Sequence, residues 1–168
     1  MLGSPVVKHL VAPGRSGYVR SSVTDGSCPM CDAFSGELVV VRSSLEGAGG
    51  VSALANLYPY NPGHVLVVPD RHVSSLAQLS PAEVAGVHEV TLQVMAGLSS
   101  LFGVSAFNIG YNLGELAGAS VADHLHQHVV PRWAGDGGGF METTAFTRVQ
   151  SCSPAQLARD LRVVLSGS

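Results

Sequence analysis

The sequence predicts an α+β domain, an antiparallel sheet of about five strands with one central helix and a second helix at the C-terminus. Short apolar runs punctuated by Gly, Pro and Asn recur on both sides of residue 80. Between them, one segment keeps apolar residues at helical spacing, from Val84 through Val87, Val94 and Leu98. Near the end, Ser153-Pro154 supplies a second helix start.

In chain order, residues 1–27 are rich in Gly, Ser and Pro and read as an N-terminal arm, leaving 28–168 as a single domain. Glu37 to Arg42 (Glu-Leu-Val-Val-Val-Arg) reads as a strand, Glu46 to Gly50 as a glycine-rich turn, and Val51 to Leu57 as a second strand. Tyr58 to Gly63 is a loop with two prolines, and His64 to Val68 is a short apolar strand stopped by Pro69. Ser80-Pro81-Ala82-Glu83 has the chemistry of a helix start. Ser80 is the N-cap, Pro81 takes the first helical position, and Glu83 reaches back to close a capping box. The helix should run to about Phe102. Val104 to Asn112 is a further strand, Leu113 to Ser120 a loop, and Leu125 to Val130 the last strand. The final helix ends near Leu165. A sheet this small has edges, and pairing with a second copy is a natural way to cover one.

Hydrophobic residues make up 46% of the 168 positions and charged residues 12%, so a sizeable core is available. A net charge of −3 argues against a nucleic-acid surface built on bulk positive charge. No apolar run approaches the roughly 20 residues of a membrane span, and residues 1–18 lack the continuous apolar core of a secretory signal. Three cysteines suit a reducing cytoplasm better than a disulfide framework.

Of the seven histidines, three fall within five residues, in His124-Leu125-His126-Gln127-His128-Val129-Val130. A strand sends successive side chains to opposite faces, so His124, His126 and His128 share one face. Such a stack suits metal binding, proton transfer or nucleophilic catalysis, because imidazole titrates near neutrality. The preceding Asn112-Leu113-Gly114 and Gly118-Ala119-Ser120 make a glycine-containing loop whose amides can approach an anion. Cys28-Pro29-Met30-Cys31 offers two thiols three apart, which alone is a redox pair, half of a zinc site, or chance.

These blocks together resemble the histidine triad (HIT) family, nucleotide hydrolases and transferases named for His-φ-His-φ-His-φ-φ with φ apolar. Asn56-Leu-Tyr-Pro-Tyr-Asn-Pro-Gly-His64-Val-Leu-Val-Val-Pro69, followed by Pro69-Asp-Arg-His72 and the Ser-Pro-x-Glu helix start, resembles the family's Asn…Pro-Gly-His-hydrophobic-Pro block. His128-Val-Val-Pro-Arg-Trp133, Gly135-Asp136, Phe140-Met141 and Leu10-Val-Ala-Pro-Gly-Arg15-Ser-Gly-Tyr18 resemble the branch that contains diadenosine tetraphosphate phosphorylases.

The resemblance implies a HIT-like fold, a homodimer, and cleavage at the α-phosphate of a dinucleoside polyphosphate or an adenylylated small molecule. By analogy His126 is the nucleophile and forms a nucleotidyl-histidine intermediate. His128 holds phosphate oxygens or protonates the leaving group, and His64 supports the triad. Asn56 reaches the nucleoside or phosphate, Asn112 the α-phosphate or leaving group, and Gly118 and Ser120 the phosphate. No catalytic metal is required. The resemblance also implies a structural zinc held by Cys28, Cys31, His72 and His124. Water or inorganic phosphate would complete the reaction, giving a hydrolase or a phosphorylase.

The chain departs from its relatives at four places. Val121 stands where a serine or threonine is expected three residues before the first histidine, Gln127 replaces an apolar residue, and Gly14 and Gly139 stand at polar or aromatic positions. For Gln127, a satisfied core or interface amide is the default expectation. The departures keep open recruitment to specialised metabolism or binding without turnover. A zinc-stabilised interaction protein is the remaining alternative. Cys152, His88, His9 and Trp133 are expected to be packing or surface residues.

Overall fold

The computed structural model describes residues 27–45, 49–134, 136 and 152–167. The N-terminal arm apart from Ser27, and the positions of Gly14, Gly139 and Phe140-Met141, lie outside the described residues.

The described order is α1 (Pro29–Ala33), β1 (Val39–Leu45), β2 (Gly49–Ala55), β3 (Val65–Pro69), α2 (Pro81–Phe102), β4 (Ala106–Tyr111), β5 (Gln127–Arg132) and α3 (Pro154–Ser166). The five strands form one sheet in the order β1-β2-β3-β5-β4, and every neighbouring pair is antiparallel. Strand β5, which carries His128, is therefore an interior strand, with β3 on one side and β4 on the other.

Strand alternation divides the side chains between two cores. Val51, Ala53, Ala55, Val65, Val67 and Val129 face α2 and α3, where they meet Val87, Val90, Val94, Leu98, Leu157 and Leu161. Leu54, Leu66 and Val68 point to the opposite face and pack with Met30 and Val121. Because β2 and β3 are covered on both faces, they read as continuous apolar runs rather than alternating ones.

Helix α2 starts as its sequence requires. Ser80 accepts from the Glu83 N–H, and the Glu83 side chain accepts from the Ser80 N–H at 2.8 Å. Glu83 is buried, and Arg71 donates to both of its oxygens at 2.7 and 2.9 Å. Its carboxyl falls from 4.5 to about 2, chiefly through the Arg71 hydrogen bonds and against the opposing effect of burial. Two glycines allow close approach. Gly63 has φ +78°, and a Cβ there would lie 3.0 Å from Pro131 and 3.2 Å from Leu98. A Cβ on Gly97 would lie 3.1 Å from Leu161 and Leu165, where α2 and α3 meet.

The structure differs from the sequence reading at β5, which begins at Gln127 rather than Leu125. His124 and His126 lie in the segment just ahead of it. The β3–β5 ladder ends with Val67 opposite Gln127. Beyond it, Pro69 has no N–H to donate, its carbonyl is taken by the His124 ring, and Leu125 pairs with Val73 instead. No helix among the described residues is long and apolar enough to cross a membrane.

Candidate active site and metal-ligand cluster

His126 and His128 lie on the sheet face away from α2, with ring centroids 5.1 Å apart. His126 is buried, and its Nδ1 lies 2.8 Å from the His124 carbonyl oxygen. A carbonyl can only accept, so Nδ1 carries the ring proton and Nε2 keeps its lone pair. Burial lowers the His126 pKa against the raising effect of that carbonyl, which keeps the ring neutral at pH 7.

A second set of contacts fixes His64 and His128. The Tyr60 backbone N–H donates to His64 Nδ1 at 3.0 Å. A neutral His64 therefore carries its proton on Nε2, which lies 3.0 Å from His128 Nδ1. Burial first, then the neighbouring His128 and His126, push His64 down to about 3. His128 Nδ1 accepts, so its own proton sits on Nε2, which meets the Asn112 side-chain amide at 3.2 Å. The two ends of an amide interchange by rotation, and a donor at His128 Nε2 selects the Asn112 carbonyl oxygen as its partner. Tyr60 stacks on His128 at 22° with ring centroids 5.3 Å apart.

The structure thus brings together His64, His126, His128, Asn56 and Asn112. Asn56 lies against His64, its Nδ2 3.1 Å from Nδ1, while its Oδ1 accepts from the Tyr58 N–H. Gly118 ends a short 3-10 turn with φ +91°, and its N–H donates to the Glu115 carbonyl. Ser120 is half-buried at the end of the same loop. Tyr60 joins them from the Pro-Tyr-Asn-Pro-Gly-His loop, a residue that the motifs of the sequence do not mark.

His124 is turned into a different cluster. Its Nε2 lies 2.8 Å from the Pro69 carbonyl, so Nε2 carries the proton and Nδ1 presents a lone pair. That Nδ1 is 3.3 Å from Cys28 Sγ and 3.5 Å from Cys31 Sγ, and His72 Nδ1 is 3.5 Å from Cys31 Sγ. The four ligand atoms lie within 4.8 Å of one another. Cys28 caps α1 and Cys31 falls one turn later, which puts both thiols on one side. Bond lengths of 2.0–2.3 Å in a tetrahedron correspond to ligand separations of about 3.3–3.8 Å. Burial and the adjacent Cys28 push the Cys31 thiol up to about 11, so a cation is what would stabilise thiolates here. The donor set fits a soft divalent metal.

Gln127 points toward α2, where its Nε2 donates to Thr91 Oγ1 at 2.7 Å, and Thr91 in turn donates to the Val87 carbonyl. At the end of β5, buried Asn61 donates to the Pro131 carbonyl and to Asp136, which also accepts from Arg132. Trp133 packs edge-on against Phe102. These contacts join the loop before His64 to the segment after the histidines.

Known proteins align with this arrangement. A family model described as HIT domain matches residues 47–135. A Mycobacterium tuberculosis protein named AP-4-A phosphorylase is 43% identical over 129 residues, covering 77% of this chain and 61% of that protein. A Schizosaccharomyces pombe protein named bis(5'-nucleosyl)-tetraphosphatase [asymmetrical] is 40% identical over 101 residues, covering 60% of this chain and 52% of that one. The chain thus spans between about half and three-fifths of these two relatives. The crystal structure of a Zn-bound histidine triad family protein from Mycobacterium smegmatis superposes with a TM-score of 0.65 at 27% identity, covering 84% of this chain and 94% of that one. With the histidine motif, the five-stranded sheet and a family model matched over more than half of its length, the chain belongs to the HIT-domain family.

Proposed function

We propose that the protein is a nucleotide hydrolase or nucleotidyltransferase that cleaves a dinucleoside polyphosphate or an adenylylated substrate at the α-phosphate, through a nucleotidyl-His126 intermediate. The observation that carries this reading is the His126 Nδ1–H bond to the His124 carbonyl, which directs the Nε2 lone pair outward as the nucleophile. The nitrogen attacks phosphorus, the N–P bond forms, and the P–O bond to the leaving group breaks. His128, with its Nε2–H, holds a phosphate oxygen, and Asn112 beside it meets the α-phosphate or the leaving group. His64 and Asn56 support this arrangement, and Asn56 also reaches the nucleoside. Gly118 and Ser120 close the loop over the phosphate. Replacing His126 by Ala should abolish turnover while circular dichroism stays native. Turnover retained in that variant would sink the mechanism.

A second reading, phosphate-dependent phosphorolysis, is favoured by the similarity to the Mycobacterium tuberculosis protein named AP-4-A phosphorylase. Dependence of turnover on inorganic phosphate separates the two.

The Cys28, Cys31, His72 and His124 cluster is proposed as a structural zinc site, supported by the converging donors and by the Zn-bound Mycobacterium smegmatis relative. Zinc there would pin the segment at α1 to the residues that carry His126, because His124 belongs to both. The protein is further proposed to be a homodimer. Edge strand β4 exposes Ile109, and α2 exposes Val84 and Leu92, two turns apart on one face. Light scattering tests this, and a monomer at micromolar concentration would refute it.

A further inference from the structure

We propose that Arg42 is a positioning residue for the metal-ligand cluster: through Asp70 and Phe34 it clamps the thiol half of the cluster to the imidazole half and slows the loss of the metal. This rests on the reading of Cys28, Cys31, His72 and His124 as a zinc site.

The four ligands come from two halves. Cys28 and Cys31 stand at α1, whereas His72 follows β3 and His124 precedes β5. Helix α1 has only five residues, too few to hold its own shape, so neighbours must hold it. Met30 anchors it from one side in the apolar cluster with Leu54 and Leu66. Phe34 closes its C-terminal end, three residues after Cys31.

The imidazole half is built around Asp70. Its N–H donates to the Gly50 carbonyl at 2.8 Å, and its Oδ1 accepts from the buried Ser52 hydroxyl at 2.7 Å. Pro69, just before it, offers its carbonyl to the His124 ring, and His72 stands two residues after it. The placement of Asp70 therefore bears on both imidazoles. Gly50 leaves room for the carboxylate, since a Cβ there would lie 2.5 Å from Asp70 Oδ2.

Arg42, on β1, joins the halves. The β1–β2 register sets it opposite Ser52, so its side chain rises on the same face as the Ser52 hydroxyl. Its Nε and Nη2 lie 3.0 and 2.9 Å from Asp70 Oδ2. Its guanidinium carbon lies 5.7 Å from the centre of the Phe34 ring, a cation–π distance. Phe34 in turn meets the His124 ring edge-on, with centroids 5.9 Å apart. One planar group thus binds a carboxylate with its edge and covers an aromatic ring with its face. A lysine ammonium has no such face.

The effect is one of position rather than charge. Two thiolates and two neutral imidazoles balance a divalent cation, and Asp70 balances Arg42. Arg42 is half-exposed, and an ion pair so placed adds little to the stability of a fold. Both of its partners adjoin metal ligands, however, and residues that orient ligands act on metal retention.

The test uses the whole chain loaded with zinc, challenged with excess chelator, and follows release with a colorimetric zinc indicator. Arg42→Ala and Phe34→Leu should each release zinc about 10-fold faster than the wild type, the low end of the range for residues that orient metal ligands. Phe34→Tyr, which keeps the ring, should release at the wild-type rate. Arg42→Lys, which keeps the charge without the flat face, should release nearly as fast as Arg42→Ala. The double variant Arg42→Ala/Phe34→Leu should be slower than the product of the two single factors, because the two residues act through one contact. Cobalt-loaded Arg42→Ala should keep the wild-type absorption spectrum, which reports the same four ligands. Arg42→Ala releasing at the wild-type rate overturns the clamp, and so does full rescue by Arg42→Lys, which would assign the effect to charge. An altered cobalt spectrum in Arg42→Ala overturns it too, by showing that the ligand set itself has changed. A wild-type chain that takes up no zinc overturns the zinc site and this inference with it.

Discussion

Gln127 stands between the second and third histidines of the triad, where the family pattern has an apolar residue, and its contact with Thr91 gives a quantitative test of why it is tolerated. Gln127 is buried, and its Nε2 donates to Thr91 Oγ1 at 2.7 Å. Thr91→Val keeps the volume but removes the acceptor, leaving a buried amide N–H without its partner. Such a group costs about 1–3 kcal/mol, which for a domain of this size lowers Tm by roughly 2–12 °C. Gln127→Met removes the donor instead. Thr91 still donates to the Val87 carbonyl at 2.7 Å, so this change should cost less than about 1.5 kcal/mol. In the double variant neither group is stranded, and its stability should exceed that of Thr91→Val alone. Calorimetry on the four proteins measures the coupling. A neutral Thr91→Val, or a double variant that loses the sum of the two single effects, would refute the reasoning.

Three further outcomes follow from the same contacts. Gly63→Ala forces a side chain into the left-handed region and against Pro131, so chemical denaturation should show a loss of at least about 1–2 kcal/mol; an unchanged midpoint contradicts the packing described. The Glu83 carboxyl, held at about 2 instead of 4.5, contributes on the order of 3 kcal/mol that is fully present above about pH 4.5 and lost as pH falls toward 2. Thermal melts across that range should steepen with acid in the wild type and less so in Glu83→Gln, and parallel profiles would deny Glu83 this part. Elemental analysis should find one zinc per chain, chelation should lower Tm, and Cys28→Ser should reduce the zinc content; a variant with full zinc removes Cys28 from the ligand set.

The parts of the fold written in local chemistry were legible before the structure. The Ser80–Glu83 capping box and the apolar spacing after it place α2 between Pro81 and Phe102. Cys28, Cys31, His72 and His124, the metal-ligating set implied by a resemblance, do come together. Features that depend on distant partners were not legible. Thr91, which satisfies Gln127, lies 36 residues away in the chain. The late start of β5 depends on Pro69, across the sheet, which has a carbonyl but no N–H to offer. The tautomer of His64 is set by a main-chain amide at Tyr60, and every residue but proline carries one, so no residue type signals it. Helix α1, at five residues, is too short to show periodicity.

The central claim is that His126 becomes covalently attached to a nucleotide, and intact mass spectrometry tests it most directly. His128→Ala protein, in which the second step should be slowed, is mixed with a dinucleoside tetraphosphate and its mass is read against time. A gain of one nucleotide, mapped to His126 by fragmentation and lost when His126 is also replaced by Ala, is the result expected. Nucleotide bound without any covalent gain in mass, while the wild type turns over the same substrate, would contradict it.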